Sequence, residues 1–221
     1  ASGRVVGSGG DIDRPIFPRS AVKVLQALPL VASGAADHFG LDDAALALAC
    51  ASHGGEPEHV AVAAQVLAKL GLDERALECG AHWPGFEPAK LALARAGQEP
   101  HALHNNCSGK HSGFLTVTQH LKAGPEYIEI DHALQRAIRA ATEETTGETI
   151  AGWGVDGCSA PNFAMSVAGL ARSMASFANA REGNGARESA MHRLTRAMAS
   201  HPELVSGEGR ACTELMRAMD G

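Results

Sequence analysis

The sequence predicts an α+β protein that is mostly helix and carries few strands. Three observations support this. Apolar residues recur at helical spacing in one segment after another, while alternating runs that would mark half-buried strands are scarce. Hydrophobic residues make up 45 % of 221, enough for a sizeable core, yet aromatics are only 4 %, so Leu, Val, Ala and Met must fill it. Polar, glycine-rich stretches separate the helical segments and hold most of the reactive side chains. A chain of 221 residues is long enough for one large domain or two small ones.

The elements follow in order. Gly7, Gly9 and Gly10 mark turns in Ala1–Arg14, and Val5-Val6 reads as the end of a strand, so the chain is expected to begin inside a hairpin. Ile16-Phe17-Pro18 leads to Ser20, from which Val22, Leu25, Gln26, Leu28 and Leu30 read as a buried helix broken by Pro29. Gly34–Gly40 is a connection. Leu41–Cys50 is a helix with Asp42-Asp43 suiting its first turn. Cys50–Pro57 is a polar turn, either a plain C-cap loop or a pocket wall. A helix opened by Glu56-Pro57 follows, with Val60, Ala63, Val66, Leu67 and Leu70 inward and Gly71 closing it. Asp73–Leu77 is a short helix. Cys79–Gly85 is an irregular loop in which His82 faces either substrate or backbone. Glu87–Ala96 is helical and Gln98–Leu103 a link. Phe114–Leu121 and His132–Thr142 are helices on either side of an extended Gly124–Ile130. Phe163–Phe177 is apolar, with Met165 and Met174 packing the core. Arg181–Glu188 is a polar connection. Ser189–Met198 and Cys212–Met219 are helices separated by a turn region, His201–Arg210, and Asp220-Gly221 is a helix stop.

Composition excludes several classes. The net charge of −6 argues against a nucleic-acid or anionic membrane partner. No apolar run approaches the roughly 20 residues a membrane span needs, and Ala1–Asp11 lacks the apolar centre of a secretory leader. Cys50, Cys79, Cys107, Cys158 and Cys212 are odd in number and widely spaced. Reduced thiols and a cytoplasmic location are therefore expected, rather than a disulfide scaffold or a zinc finger.

The chemistry concentrates in His104-Asn105-Asn106-Cys107-Ser108-Gly109-Lys110-His111-Ser112-Gly113, read as a loop or loop-to-helix turn in an active site. Two imidazoles, a thiol, an amine, hydroxyls and amides in ten residues exceed what a core requires. Three chemistries fit. Cys107 and His111 suit a nucleophile–base pair. Cys107, Cys158 and a nitrogen ligand suit zinc, since Cys158 lies in a second glycine-rich turn, Gly154–Pro161. Alternatively, the stretch shapes a pocket while Ser20 attacks. Ser20 and Lys23 share a helical face one turn apart, and a lysine in a dry pocket can take a hydroxyl proton. S-x-x-K is a signature of serine β-lactamases and penicillin-binding proteins, although no S-D-N or K-T-G follows here. Arg19 suits a substrate carboxylate, and Ser52-His53 suits the same pocket.

Phe17-Pro18-Arg19-Ser20 with Lys23, Ser52-His53-Gly54-Gly55, Asn106–His111, Val155-Asp156-Gly157-Cys158 and Gly207-Glu208-Gly209-Arg210, in that order, resemble the bacterial L-asparaginase II family of the Rhizobium type. The resemblance covers nearly the entire chain. It implies a serine β-lactamase-like fold, an antiparallel sheet beside a helical region, with 1–221 as a single catalytic domain, incomplete because native chain would continue beyond both ends. It implies hydrolysis of L-asparagine to L-aspartate and ammonia, with Ser20 as nucleophile and Lys23 as its base. Ser52 would belong to a second serine–lysine pair, whose lysine has no counterpart in these residues. Cys107, Lys110 and Cys158 would bind zinc, and Arg19, His53, Asn106, His111 and Asp156 would contact substrate. A homodimer is expected, and Cys212 receives no role. The competing readings are a penicillin-binding-type serine hydrolase and a non-catalytic, zinc-stabilised module.

Overall fold

A helical body and two small antiparallel sheets form an α+β architecture in the computed structural model, which describes residues 5–219. Strand β1 (Pro15–Ile16) leads to a 3-10 turn over Arg19–Val22 and to helices α1 (Lys23–Gln26) and α2 (Leu28–Ala32). Pro29 lies in the first turn of α2, where a missing N–H costs nothing, so the expected break falls two residues earlier, at Ala27. The stretch expected as a connection contains α3 (Ala35–His38), one turn entered through Gly34 at φ +80° and too short to show a period. Helix α4 (Asp43–Ala49) begins where the Asp42 carboxylate accepts the Ala45 N–H. Helix α5 (Pro57–Lys69) begins at a capping box of Glu56 and His59. A 3-10 turn over Glu74–Ala76 and helix α6 (Glu87–Arg95) follow.

Helix α7 (Ser108–His120) corrects the sequence reading, because it starts inside the polar cluster, six residues before the expected Phe114. Every residue from Ser108 to Thr118 is buried, so no polar face marks the helical period. The two glycines of the cluster lie within the helix and permit close approach of its neighbours. A Cβ on Gly109 would lie 2.4 Å from both the Cγ and the carbonyl oxygen of Leu48, and one on Gly113 would lie 3.3 Å from Ala49 Cβ and from Leu30 Cδ2. Four residues apart, they bring α7 against α4 on a single face.

Helix α8 (Ala133–Thr146), capped by the His132 side chain, runs four residues past its expected end. The extended segment expected at Gly124–Ile130 is a set of turns around fully buried Tyr127. A hairpin not expected from the sequence follows, β2 (Trp153–Val155) with β3 (Pro161–Phe163), in register Trp153↔Phe163 and Val155↔Pro161. Strand β4 (Met165–Ser166) pairs with β1 and opens helix α9 (Val167–Asn179). Helices α10 (Ala186–Ser200), α11 (Pro202–Val205) and α12 (Ala211–Ala218) complete the chain. Val5-Val6 has no regular structure and is exposed, and the N-terminal strand is Pro15–Ile16 instead. Ala1–Arg4 and the stop expected at Asp220-Gly221 lie outside the described residues.

Helix α4 is central to the packing: Ala45–Ala49 are all buried, and α5, α7, α10 and α11 contact it. Helix α10 also meets α2 and α9, while α8 packs on α1, α2 and α9. Met165 is buried and Met174 lies against the core, as expected. Small residues on α4 and α7 let these helices approach closely. As a result, the C-terminal end of α4, the N-terminal end of α7 and α1 meet at one place, where the reactive side chains gather.

Candidate active site

Ser20 and Ser52 meet although 32 residues separate them. The Ser52 hydroxyl lies 2.8 Å from Ser20 Oγ at the surface of the fold. Ser20 follows directly on Arg19, whose φ of +52° is a left-handed conformation that non-glycine residues rarely adopt. Neighbouring groups hold it there. The Arg19 N–H donates to Asn162 Oδ1 at 3.3 Å, and its guanidinium reaches Asp156 Oδ1 through Nε at 3.1 Å and Nη2 at 3.0 Å. Asp156 is itself positioned by the turn between β2 and β3, accepting the Gly157 N–H. Backbone strain beside a reactive hydroxyl points to a functional role.

Lys23, one helical turn on, points inward. Its amine lies against the Ala51 carbonyl and 3.0 Å from Cys107 Sγ, and Ser20 is not among its hydrogen-bond partners. Burial pushes its pKa down, which favours the neutral amine. Ala51 precedes Ser52, so the serine contact and the buried amine adjoin the same short segment.

Below the serines, two thiols and two amines form a dry cluster. Lys110 Nζ lies 3.0 Å from Cys158 Sγ, as Lys23 does from Cys107 Sγ. The hydrogen bond between the two sulfurs pulls the Cys158 pKa well below the ordinary thiol value and raises that of Cys107. His111 Nε2 has no hydrogen-bond partner, although the ring is fully buried beside Cys158. Its Nδ1 lies 2.8 Å from the Tyr127 hydroxyl, which accepts the Glu78 N–H at 2.7 Å. His111 Nδ1 and the Tyr127 hydroxyl share one hydrogen, which fixes the orientation of the ring. Nothing in the sequence pattern marked Tyr127; an isolated aromatic in a turn carries no period.

Among the described residues, no three His, Cys, Asp or Glu side chains group as metal ligands. A metal here would therefore need Lys110 as third donor. The convergence of two sulfurs and that amine suits a thiolate-binding cation such as zinc. Cys50 and Cys79 differ from this pair: burial pushes both thiols to about 12, as for inert core groups. Cys212 is exposed on α12.

His53 is buried behind Ser52. Its Nδ1 accepts the Gly55 N–H, so Nε2 donates to Ser108 Oγ at 3.1 Å. It stacks on His59 at 4.6 Å between ring centroids. The backbone carbonyl of Asn106 accepts from His53 N–H, and its own N–H donates to His82 Nε2 at 3.0 Å. His82, ambiguous in sequence, thus braces the main chain of the polar cluster. Ser20, Ser52, Arg19, Asp156 and Asn106 lie at or near the surface, whereas His53, His111, Cys107, Lys110 and Cys158 lie beneath them.

Burial holds the pKa of both His53 and His59 below the ordinary 6.5. The unfolded chain therefore takes up protons first as pH falls below 6.5, and the stability these rings contribute above that pH is lost in acid, by up to ~1.4 kcal/mol per pH unit for each proton. The urea midpoint should accordingly drop between pH 7.5 and 5.5, and less so in His53→Gln. An equal drop in both proteins would refute the assignment.

The family model described as L-asparaginase II matches residues 1–221. No curated protein matches the chain.

Proposed function

The chain belongs to the L-asparaginase II family, and on that premise we propose that it hydrolyses the side-chain amide of L-asparagine through an acyl-enzyme on Ser20. The contact between Ser20 and Ser52, beside strained Arg19 and over the buried amine of Lys23, is the observation that carries this reading. Ser20 Oγ attacks the amide carbon as its proton passes along the serine pair to the Lys23 amine, whose pKa burial lowers; that proton then goes to the amide nitrogen as the C–N bond breaks, and ammonia leaves. Water then cleaves the ester and releases L-aspartate. Apo geometry leaves Lys23 on Cys107, so a rotamer change of its long side chain must complete the path. The helical body beside small antiparallel sheets is compatible with a serine β-lactamase-like arrangement.

Cys107, Lys110 and Cys158 are the residues that would hold zinc, and the metal when bound would supply Lewis-acid polarisation of substrate. Around it, His111 is oriented by Tyr127, and Cys107 is held at the start of α7 by its N–H donating to Asn105 Oδ1. Cys158→Ser should lower the bound zinc, measured by elemental analysis of the purified protein, to well under one per chain. Stoichiometric zinc in that variant would remove Cys158 from the ligand set.

The functional test is ammonia release from L-asparagine, repeated with hydroxylamine present. An acyl-enzyme partitions to aspartyl hydroxamate, whereas direct attack by water forms none. Ammonia without hydroxamate would overturn the serine mechanism, and no ammonia would overturn the assignment of substrate.

A further inference from the structure

We propose that Arg210 binds the α-carboxylate of the substrate and so selects amino-acid amides over simple amides, an inference that rests on the asparagine reading above.

The segment before Arg210 forms part of the serine site. Ser52 N–H donates to Val205 O at 3.1 Å, and Gly54 N–H to Ser206 O at 2.9 Å. Glu56 secures the next residues, its carboxylate accepting the Glu208 N–H at 3.0 Å. Gly207 makes the approach possible. Its φ is +126°, and a Cβ there would lie 2.1 Å from Glu56 Oε1 and 3.6 Å from His59 Cε1. Thr213 closes the turn by donating to the Gly207 carbonyl. Arg210 emerges from this turn at the cap of α12, exposed. It lies close enough to His53 to disfavour the imidazolium there.

The charges around it are already assigned. Glu208 pairs with Arg217 at 2.6 Å, and Glu203 and Glu214 reach the same guanidinium at 3.9 and 3.4 Å. Among the described residues Arg210 has no carboxylate partner. The other basic side chains of the site are engaged: Arg19 on Asp156, and the amines of Lys23 and Lys110 on thiols. A free α-amino acid brings a carboxylate into the site, and a planar guanidinium suits it through two parallel hydrogen bonds. The Gly207-Glu208-Gly209-Arg210 motif then has a physical purpose: a backbone that passes close to the Ser52 loop and delivers a cation with no carboxylate partner among the described residues.

Binding is best read without turnover, by calorimetry on protein carrying Ser20→Ala. L-asparagine is compared with 3-aminopropanamide, which keeps the amine and the amide but lacks the carboxylate. Adding Arg210→Ala should weaken asparagine by about 10- to 100-fold, the range for loss of a hydrogen bond to a charged group. The asparagine-to-aminopropanamide affinity ratio should fall by the same factor, and Arg210→Lys should restore part of it. An unchanged ratio, equal weakening of both ligands, or no binding of asparagine before Arg210 is altered would each overturn the proposal. Hydrolysis is read separately from ammonia release by the Ser20 protein. A protein that binds asparagine through Arg210 yet releases no ammonia would sink the hydrolytic reading and leave this one standing.

Discussion

Ser20→Ala should lower asparagine turnover by on the order of 10²-fold or more, with folding and metal content unchanged. The side chain is exposed and its one hydrogen bond is to Ser52, so its removal leaves no buried group unsatisfied. Lys23→Met should cause comparable loss of activity, because in the proposed mechanism the two residues act as a unit, and the double variant should be little worse than either single one. Additive losses would mean that the two residues do not share a step. Lys23→Met will also alter packing, since the amine is buried against Ala51 O and Cys107. Its melting temperature therefore has to be compared with that of Ser20→Ala. Near-normal turnover in Ser20→Ala would leave the strained Arg19–Ser20 turn without a function and return attention to Cys107.

Gly109→Ala should destabilise the fold strongly, although it adds one methyl and alters no charge. The added methyl would lie 2.4 Å from the Leu48 carbonyl oxygen, and backbone on both sides resists movement. Overpacking of this kind costs about 1–3 kcal/mol, which corresponds to a fall in melting temperature of roughly 2–12 °C for a chain of this length. Gly113→Ala should cost less, since its new contacts are with the side chains of Ala49 and Leu30 at 3.3 Å and can adjust. Calorimetry on the two variants gives the comparison. Equal melting temperatures for Gly109→Ala and the unaltered protein would show that α4 and α7 do not approach as closely as described. The same variant should lose activity through displacement of Cys107 and Lys110, which the first turn of α7 carries.

Helices bounded by local start and stop signals were legible in the sequence. Leu41–Cys50, the run from Glu56-Pro57 to Gly71, and Glu87–Ala96 fall within about two residues of α4, α5 and α6. Their caps are local chemistry: Asp42 accepts a nearby N–H, and Pro57 occupies a position where no N–H is needed. Helix α7 was only half legible because a helix buried on every side shows no alternation of apolar and polar residues. The hairpin β2–β3 was missed because three-residue strands are too short to display a period.

By itself the sequence determined the chemical inventory: which segments carry hydroxyls, thiols and amines, and that Ser20 and Lys23 lie one turn apart. It also carried the ordered motifs by which the family was recognised. Only the tertiary structure decided which of those groups meet. Ser52 comes to Ser20, Lys23 turns to Cys107, Cys158 comes to Lys110, and the chain before Arg210 runs along the Ser52 loop. The reason is the difference between local and long-range interactions. Capping, turn formation and helical period depend on residues a few positions apart, and the sequence displays these directly. The long-range contacts join residues 32 to 153 positions apart, and those around Cys107 and Lys110 depend on how closely α4 and α7 pack, a distance set by the missing side chain of Gly109 against Leu48.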